Sequence, residues 1–388
     1  MNKTELFEYQ NLLFRNPQDI AGVDIHNNSV LSKSLKYNCD DGFMKLLNSL
    51  NITLLISREY EHLLLGISSD GENLKQTYYP LAHPSGIAVD NNNNTIYVAS
   101  TRNPNKIVEF KVVSEYSQRI EDKAHDLTTN IFMPSREKYF PGSYYFHDLA
   151  FIGAKLFGNS VGQNAVIEID MNSFLTDEII WQPNVCTTDA RKITEGNYLQ
   201  LNSIAAGTSL QNSYFSASTF IVGKSRPGQK NFKVDNKGVI FSGDGNIFAS
   251  GLTRPHSARI HKDKIWINNS GYGSFGYIKN GKYISFATLP GWTRGMHFVN
   301  NVVFIGVSRV LPRFENYAPG LKDINSISAI FAFDTIKGNI LGKIEFPFGN
   351  QIFSIESINK NISQGFVYQD LKNKTKKIKS HFYKYKFK

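Results

Sequence analysis

One phrase recurs along the chain and constrains the fold more than any other feature. A small or polar pair leads into a short apolar strand, a tight polar turn follows, and a second strand ends in hydroxyl or amide residues. It appears around residue 86 (HPSGIAVDNNNNTIYVAS), 148 (YYFHDLAFIGAKLFGNS), 203 (LQLNSIAAGTSLQNSYFSAST), 257 (RPHSARIHKDKIWINNS) and 295 (TRGMHFVNNVVFIGVSRV). A weaker copy starts at Gln351. Polar turns between β-rich runs are what hairpins demand.

The starting points lie 62, 55, 54, 38 and 56 residues apart, and several units show a third strand, such as Ile107–Phe110. Spacings near 50 with three or four strands per unit describe propeller blades. Six first strands predict an all-β fold, a six-bladed β-propeller. The run ITLLISREYEHLLLGISSD (52–70) reads as second and third strands lacking a first, while residues 352–355 near the other end supply one. Strands from both chain ends should therefore close the ring in one blade. A β-sandwich is the alternative, but it leaves five similar hairpin phrases unexplained. Residues 1–44 fall outside the pattern and are expected to form an extension packed on the propeller (45–370), with residues 371–388 a lysine-rich tail.

Composition narrows the function classes. Aromatic residues make up 13% of the chain, which suits strands. Cys39 and Cys186 are too few for a disulfide framework. The N-terminus has no apolar signal core, and no apolar run approaches the roughly 20 residues that span a bilayer. A cytoplasmic protein without a membrane span is expected. The net charge of +10 is concentrated in the tail, where eight lysines and one aspartate follow residue 369 and leave +3 for the rest. Nucleic acid is thus an unlikely partner, since such a run commonly solvates a surface.

In a blade the start of the first strand and the end of the second lie on one face, so polar groups from several blades converge on one mouth of the channel. His83, His147 and His256 lead first strands and are the catalytic candidates. His147, Asn202 and His256 are candidate ligands for one divalent metal ion. Arg254, Arg294 and Arg309 offer planar forks for a carboxylate, sulfate or phosphate. Asn269, Trp292 and Tyr145 complete the expected substrate-binding set; Tyr144 and Tyr272 also flank the mouth. Pro255 should push Arg254 toward an extended backbone. His261 is expected to be exposed in a turn, and His297 to sit in the core or behind the site. The chain carries no dinucleotide, Walker, nucleophile-elbow or HExxH motif.

The phrases HPSGIAV (83–89), FHDLAF (146–151), LQLNSIA (199–205), GLTRPHSARIHKDKIWINNSGYG (251–273), LPGWTRG (289–295) and FIGVSRV (304–310) resemble an uncharacterised bacterial family of conserved hypothetical proteins. That family is related to NHL-type and SMP-30-like six-bladed propellers. Where it usually reads Cys-His-Leu-Asn-Gly, this chain has Leu199-Gln200-Leu201-Asn202-Ser203. The resemblance implies the fold and the location of a site. Two functions stay open: a hydrolase, lyase or isomerase, with or without a metal, acting on a small anionic or saccharide substrate, or a non-catalytic module binding a glycan, small molecule or protein.

Overall fold

The computed structural model describes residues 33–102, 104–113, 116–117, 130–173, 178–187, 196–223, 225–229, 232–369 and 384–385. Six antiparallel sheets arranged in a ring form the expected six-bladed propeller. Blade 1 is closed by both parts of the chain: Ser354–Asn359 is its innermost strand and pairs with Ile52–Arg58, from Ile52 opposite Asn359 to Ser57 opposite Ser354. Leu63–Ser69 and Leu74–Pro80 follow outward. Blades 2 to 6 begin with the inner strands Pro84–Asp90, Phe146–Ile152, Leu201–Ala205, Pro255–His261 and Trp292–Val299. Five inner strands cover the positions at which the repeated phrase places them; the sixth, expected at 352–355, begins only at Ser354 and runs to Asn359.

Every blade buries both faces, which is why its strands read as near-continuous apolar runs. Leu54 and Ile56 pack toward blade 6, while Leu55 between them packs toward blade 2, the alternation that a pleated strand imposes. Six such clusters fill the seams between neighbouring blades. Near the axis the backbones crowd. A Cβ on Gly86 would lie 2.6 Å from the Cα of Asp148, so only glycine fits there.

Asn38–Cys39 adds an edge strand to the outermost strand of blade 6, Ile340–Glu345. A helix follows at Asp41–Ser49, capped by Asp40, whose Oδ1 accepts from the Phe43 amide at 2.7 Å. Its buried Phe43 and Leu47 enter the seam between blades 6 and 1. Lys384–Tyr385 pairs with Tyr116–Ser117; the rest of the lysine-rich tail and residues 1–32 lie outside the described residues. Among those described, no helix is long and apolar enough to cross a membrane.

Inner strands from five blades are tied together across the channel. Arg259 Nη1 lies 2.9 Å from Asp148 Oδ2, and its Nη2 lies 3.5 Å from Glu356 Oε1. Glu356 Oε2 in turn meets His297 Nδ1 at 2.9 Å, and His297 Nε2 meets Ser357 Oγ at 2.7 Å. Asp148 Oδ2 also accepts from the Ile204 amide at 3.0 Å. His297 thus belongs to a buried network, as expected. His261 does not sit free in its turn; its ring stacks on Phe298 at 4.2 Å and it is half-buried. Removing one member of a buried ion network leaves its partner uncompensated, at a cost of about 3–5 kcal/mol. Arg259→Met should lower the unfolding free energy by about that much in urea titrations, while Arg259→Met/Asp148→Asn should recover part of the loss.

Candidate functional site

The backbone at the start of the inner strands builds the site. His83, Tyr145, Gln200 and Arg254 each immediately precede an inner strand, and all four occupy the left-handed region, with φ of 46°, 51°, 51° and 54°. In five blades the pairing of the first and second strands then slips by a bulge within the first few residues. Non-glycine residues in this region cost of order 1–3 kcal/mol each and cluster at functional sites, as bulges do. The conformation overturns the expectation that Pro255 holds Arg254 extended. Interactions of the Arg254 side chain and carbonyl, described below, outweigh the local preference set by the proline.

Two histidines are locked into one tautomer. His256 Nδ1 lies 2.8 Å from the carbonyl oxygen of Arg254 and 3.1 Å from Ser270 Oγ. A carbonyl only accepts, and the Ser270 hydroxyl proton is spent on Thr293 O at 2.6 Å, so the ring proton resides on Nδ1. His147 Nδ1 lies 3.3 Å from Asn202 Oδ1. Asn202 Nδ2 donates to Pro255 O at 2.8 Å and to Ser218 Oγ at 3.0 Å, which leaves its oxygen to accept from His147. Neither Nε2 has a partner among the described residues, and neither is sealed from solvent by them. Burial, reinforced by the Arg294 charge, holds His147 down to about 3 and His256 well below the ordinary imidazole range. Both rings are neutral bases at pH 7.

Arg294 and Arg254 supply the positive charge. Arg294 is 8% exposed, lies over the Phe353 ring at 3.2 Å and makes no hydrogen bond; its Nη2 is buried without a partner. Arg254 is 5% exposed, donates through Nη1 to Gln200 Oε1 and to Ser218 Oγ, and is covered by the Tyr317 ring at 4.2 Å. Burial pushes both guanidiniums down to about 10, so both remain charged at neutral pH. Tyr317 belongs to the turn Pro312–Tyr317, which leans over the mouth and also stacks Phe314 on Tyr60 at 6.3 Å.

The other expected residues divide. Trp292 packs its ring against His256 at 5.6 Å and belongs to the cluster. Tyr145 shares the left-handed register and stands half-buried, its amide held by Asn105 Oδ1. His83 is 2% exposed with both ring nitrogens sealed off, so no reactant reaches it in this conformation. Arg309 directs all three of its nitrogens to carbonyls, those of Gly349, Ser326 and Pro347, and so serves to hold loops together. Asn269 is likewise engaged, its Oδ1 accepting from the Thr253 amide at 2.7 Å. Tyr144 packs in the core against Phe140 and Phe146, and Tyr272 donates to Asp235 Oδ1 at 3.0 Å.

The proposed metal triad fails on donor chemistry. The oxygen of Asn202 is spent on His147, the two free Nε2 atoms stand within the field of a buried arginine, and both imidazoles lack a carboxylate. Among the described residues no group of three or more His, Cys, Asp or Glu is placed to hold a metal ion.

Sequence reasoning missed Glu59. Its Oε1 accepts from Thr101 Oγ1 at 2.5 Å and lies 3.6 Å from His83 Nδ1. Burial by itself would raise this carboxyl, but His83, Arg102 and Arg294 hold it well below the usual range. His62, also missed, accepts from the His83 amide through Nδ1 at 2.9 Å. Glu59 directly follows the second strand of blade 1, where the rule used for the other blades would have found it, whereas His62 lies beyond the turn Glu59–Glu61 and just before the third strand.

No curated protein matches the chain. Among solved structures, that of a nidogen/laminin complex is 8% identical with a TM-score of 0.52, covering 79% of this chain and 98% of that one. A protein of unknown function from Bacteroides caccae is 9% identical, TM-score 0.50, over the same shares of each chain. A calcium-binding protein, regucalcin, from Agrobacterium tumefaciens is 11% identical, TM-score 0.43, over 67% and 73%. At these identities the likeness concerns the fold only. Residues 41–365, which include every side chain of the cluster, match the family described as Domain of unknown function (DUF4915), and the chain belongs to that family.

Proposed function

We propose that the mouth binds a small organic anion and transfers protons on it. Arg294 and Arg254 anchor the anion, and Nε2 of His147 or His256 takes a proton from the substrate or from an attacking water. The observation that carries this reading is Arg294: a buried guanidinium with no hydrogen-bond partner among the described residues, close enough to His147 and His256 for its charge to help hold both neutral. A buried charge whose donors are unspent destabilises the fold, and a bound carboxylate would offset that cost with charge-assisted hydrogen bonds.

Two neutral bases and an anion anchor suit hydrolase, lyase or isomerase chemistry on a sugar acid, a lactone or a related carboxylate. The Tyr317 turn over Arg254 supports an enclosed small molecule over a polymeric glycan or a protein surface. The donor set does not fit a divalent cation, so no step here passes through one.

The screen is thermal melting with gluconate, glucuronate, citrate and sulfate, followed by turnover assays on lactones and sugar acids. At least one carboxylate should raise Tm. Arg294→Met should abolish that rise, weakening binding about 100-fold, the loss of roughly 2.7 kcal/mol. The same variant should leave the ligand-free Tm little changed, because the lost attraction to Glu59 is offset by removal of a buried charge that makes no hydrogen bond. No response to any anion would overturn the reading; a Tm rise without turnover would reduce it to binding.

The pH dependence follows from the same residues. In the folded protein His147 and His62, each held at about 3 chiefly by burial, stay unprotonated where the unfolded chain takes up protons near 6.5. The unfolded state therefore binds more protons between those values. Stability is full above pH 6.5 and falls as pH drops toward 3, by up to about 1.4 kcal/mol per pH unit for each group. Denaturation from pH 7 to pH 4 should show this slope, made shallower by His147→Gln. Anion binding should be flat from pH 5 to 8, with no inflection near 6.5, and decline as the arginines deprotonate near pH 10.

A further inference from the structure

We propose that Asn202 is the positioning residue that holds the proton of His147 on Nδ1 and so leaves Nε2 as the base. The role of that base rests on the function proposed above; the assignment of the proton does not.

The argument is one of donors and acceptors. Pro255 O lies 2.8 Å from Asn202 Nδ2 and cannot donate, so the amide cannot turn its oxygen that way. A second contact points the same direction. Ser218 Oγ gives its only hydrogen to Gln200 Oε1 at 3.1 Å, and that oxygen is itself fixed because it also accepts from Arg254, a group that only donates. Ser218 therefore presents a lone pair to Asn202 Nδ2 at 3.0 Å. With both amide hydrogens spent, Oδ1 faces His147 Nδ1 as an acceptor. Only the Nδ1–H ring satisfies it.

The chain of contacts runs from Arg254 through Gln200, Ser218 and Asn202 to His147, crossing blades 5, 4 and 3. It gives Asn202 a duty other than ligating a metal, and it explains an amide where a histidine or a carboxylate would serve less well. A carboxylate has no hydrogen for Pro255 O and would draw His147 toward its charged form.

Nuclear magnetic resonance of protein labelled with nitrogen-15 histidine reads the tautomer of His147 directly, with no ligand needed. In the wild type at pH 7 the ring should be Nδ1–H. Asn202→Ala should move at least half of the population to Nε2–H. Asn202→Asp should keep the proton on Nδ1 but raise the pH at which the ring becomes charged by at least one unit. Ser218→Ala should leave the tautomer unchanged, since Pro255 O still pins the amide. A wild-type ring protonated on Nε2, or an Asn202→Ala ring still wholly Nδ1–H, would overturn the proposal. If Asn202→Ala does not fold, Asn202→Asp decides, and an unshifted titration there counts against it. Failure of the wild type to bind any anion in the melting screen would remove the base role alone, while these spectra still judge Asn202.

Discussion

The pairing of Ser354–Asn359 with Ile52–Arg58 is the constraint on which the rest depends. A propeller blade cannot bury both faces unless it has a neighbour on each side, so an open ring would expose two apolar seams. Closure also assembles the site. Ser57 sits at the end of the closing register, where its carbonyl accepts from the Phe353 amide at 2.8 Å and its Oγ accepts from the Ser354 amide at 3.0 Å. That fixes Phe353 beneath Arg294 and in edge contact with His147 at 5.7 Å. On the other strand the chain passes from Arg58 directly into Glu59, which faces His83 of the next blade. One joint thus places groups from the two parts of the chain beside groups from three other blades.

The fold was legible because its signal is repeated. Each hairpin phrase read singly is weak, but six copies at similar spacing specify both the number of blades and where the ring must close. The site was legible only in outline. Strand starts and ends point to a mouth, and Arg254, Arg294, His147, His256 and Trp292 do meet there. What pattern does not reveal is where each side chain's hydrogen-bonding capacity goes. Arg309 and Arg294 look alike in sequence, yet each nitrogen of the first bonds a carbonyl, while the second has no hydrogen-bond partner among the described residues. Asn202 reads as a ligand until its three contacts are counted together. His83 and Arg254 also show tertiary contacts overriding a local rule. Both precede proline, and both take positive φ against the extended preference of that position.

Burial itself divides the labour at the mouth. Desolvation disfavours every charged form, so it lowers imidazole and guanidinium alike. The outcome differs because the starting points differ. An imidazole that begins near 6.5 and falls to about 3 crosses the physiological range and becomes a permanent neutral base. A guanidinium that begins at 12.5 and falls to about 10 stops short of that range and remains a cation. The arginines then reinforce the division, since their charges count among the forces that keep the histidines neutral. A dry mouth lined by both residue types therefore contains a fixed positive anchor and fixed neutral bases with no carboxylate needed to set either state. Placing an acidic side chain against the histidines would undo the separation, returning the imidazoles toward their charged form and partly neutralising the anchor. Glu59 pulls in that direction on both His147 and Arg294, but burial outweighs it in each case.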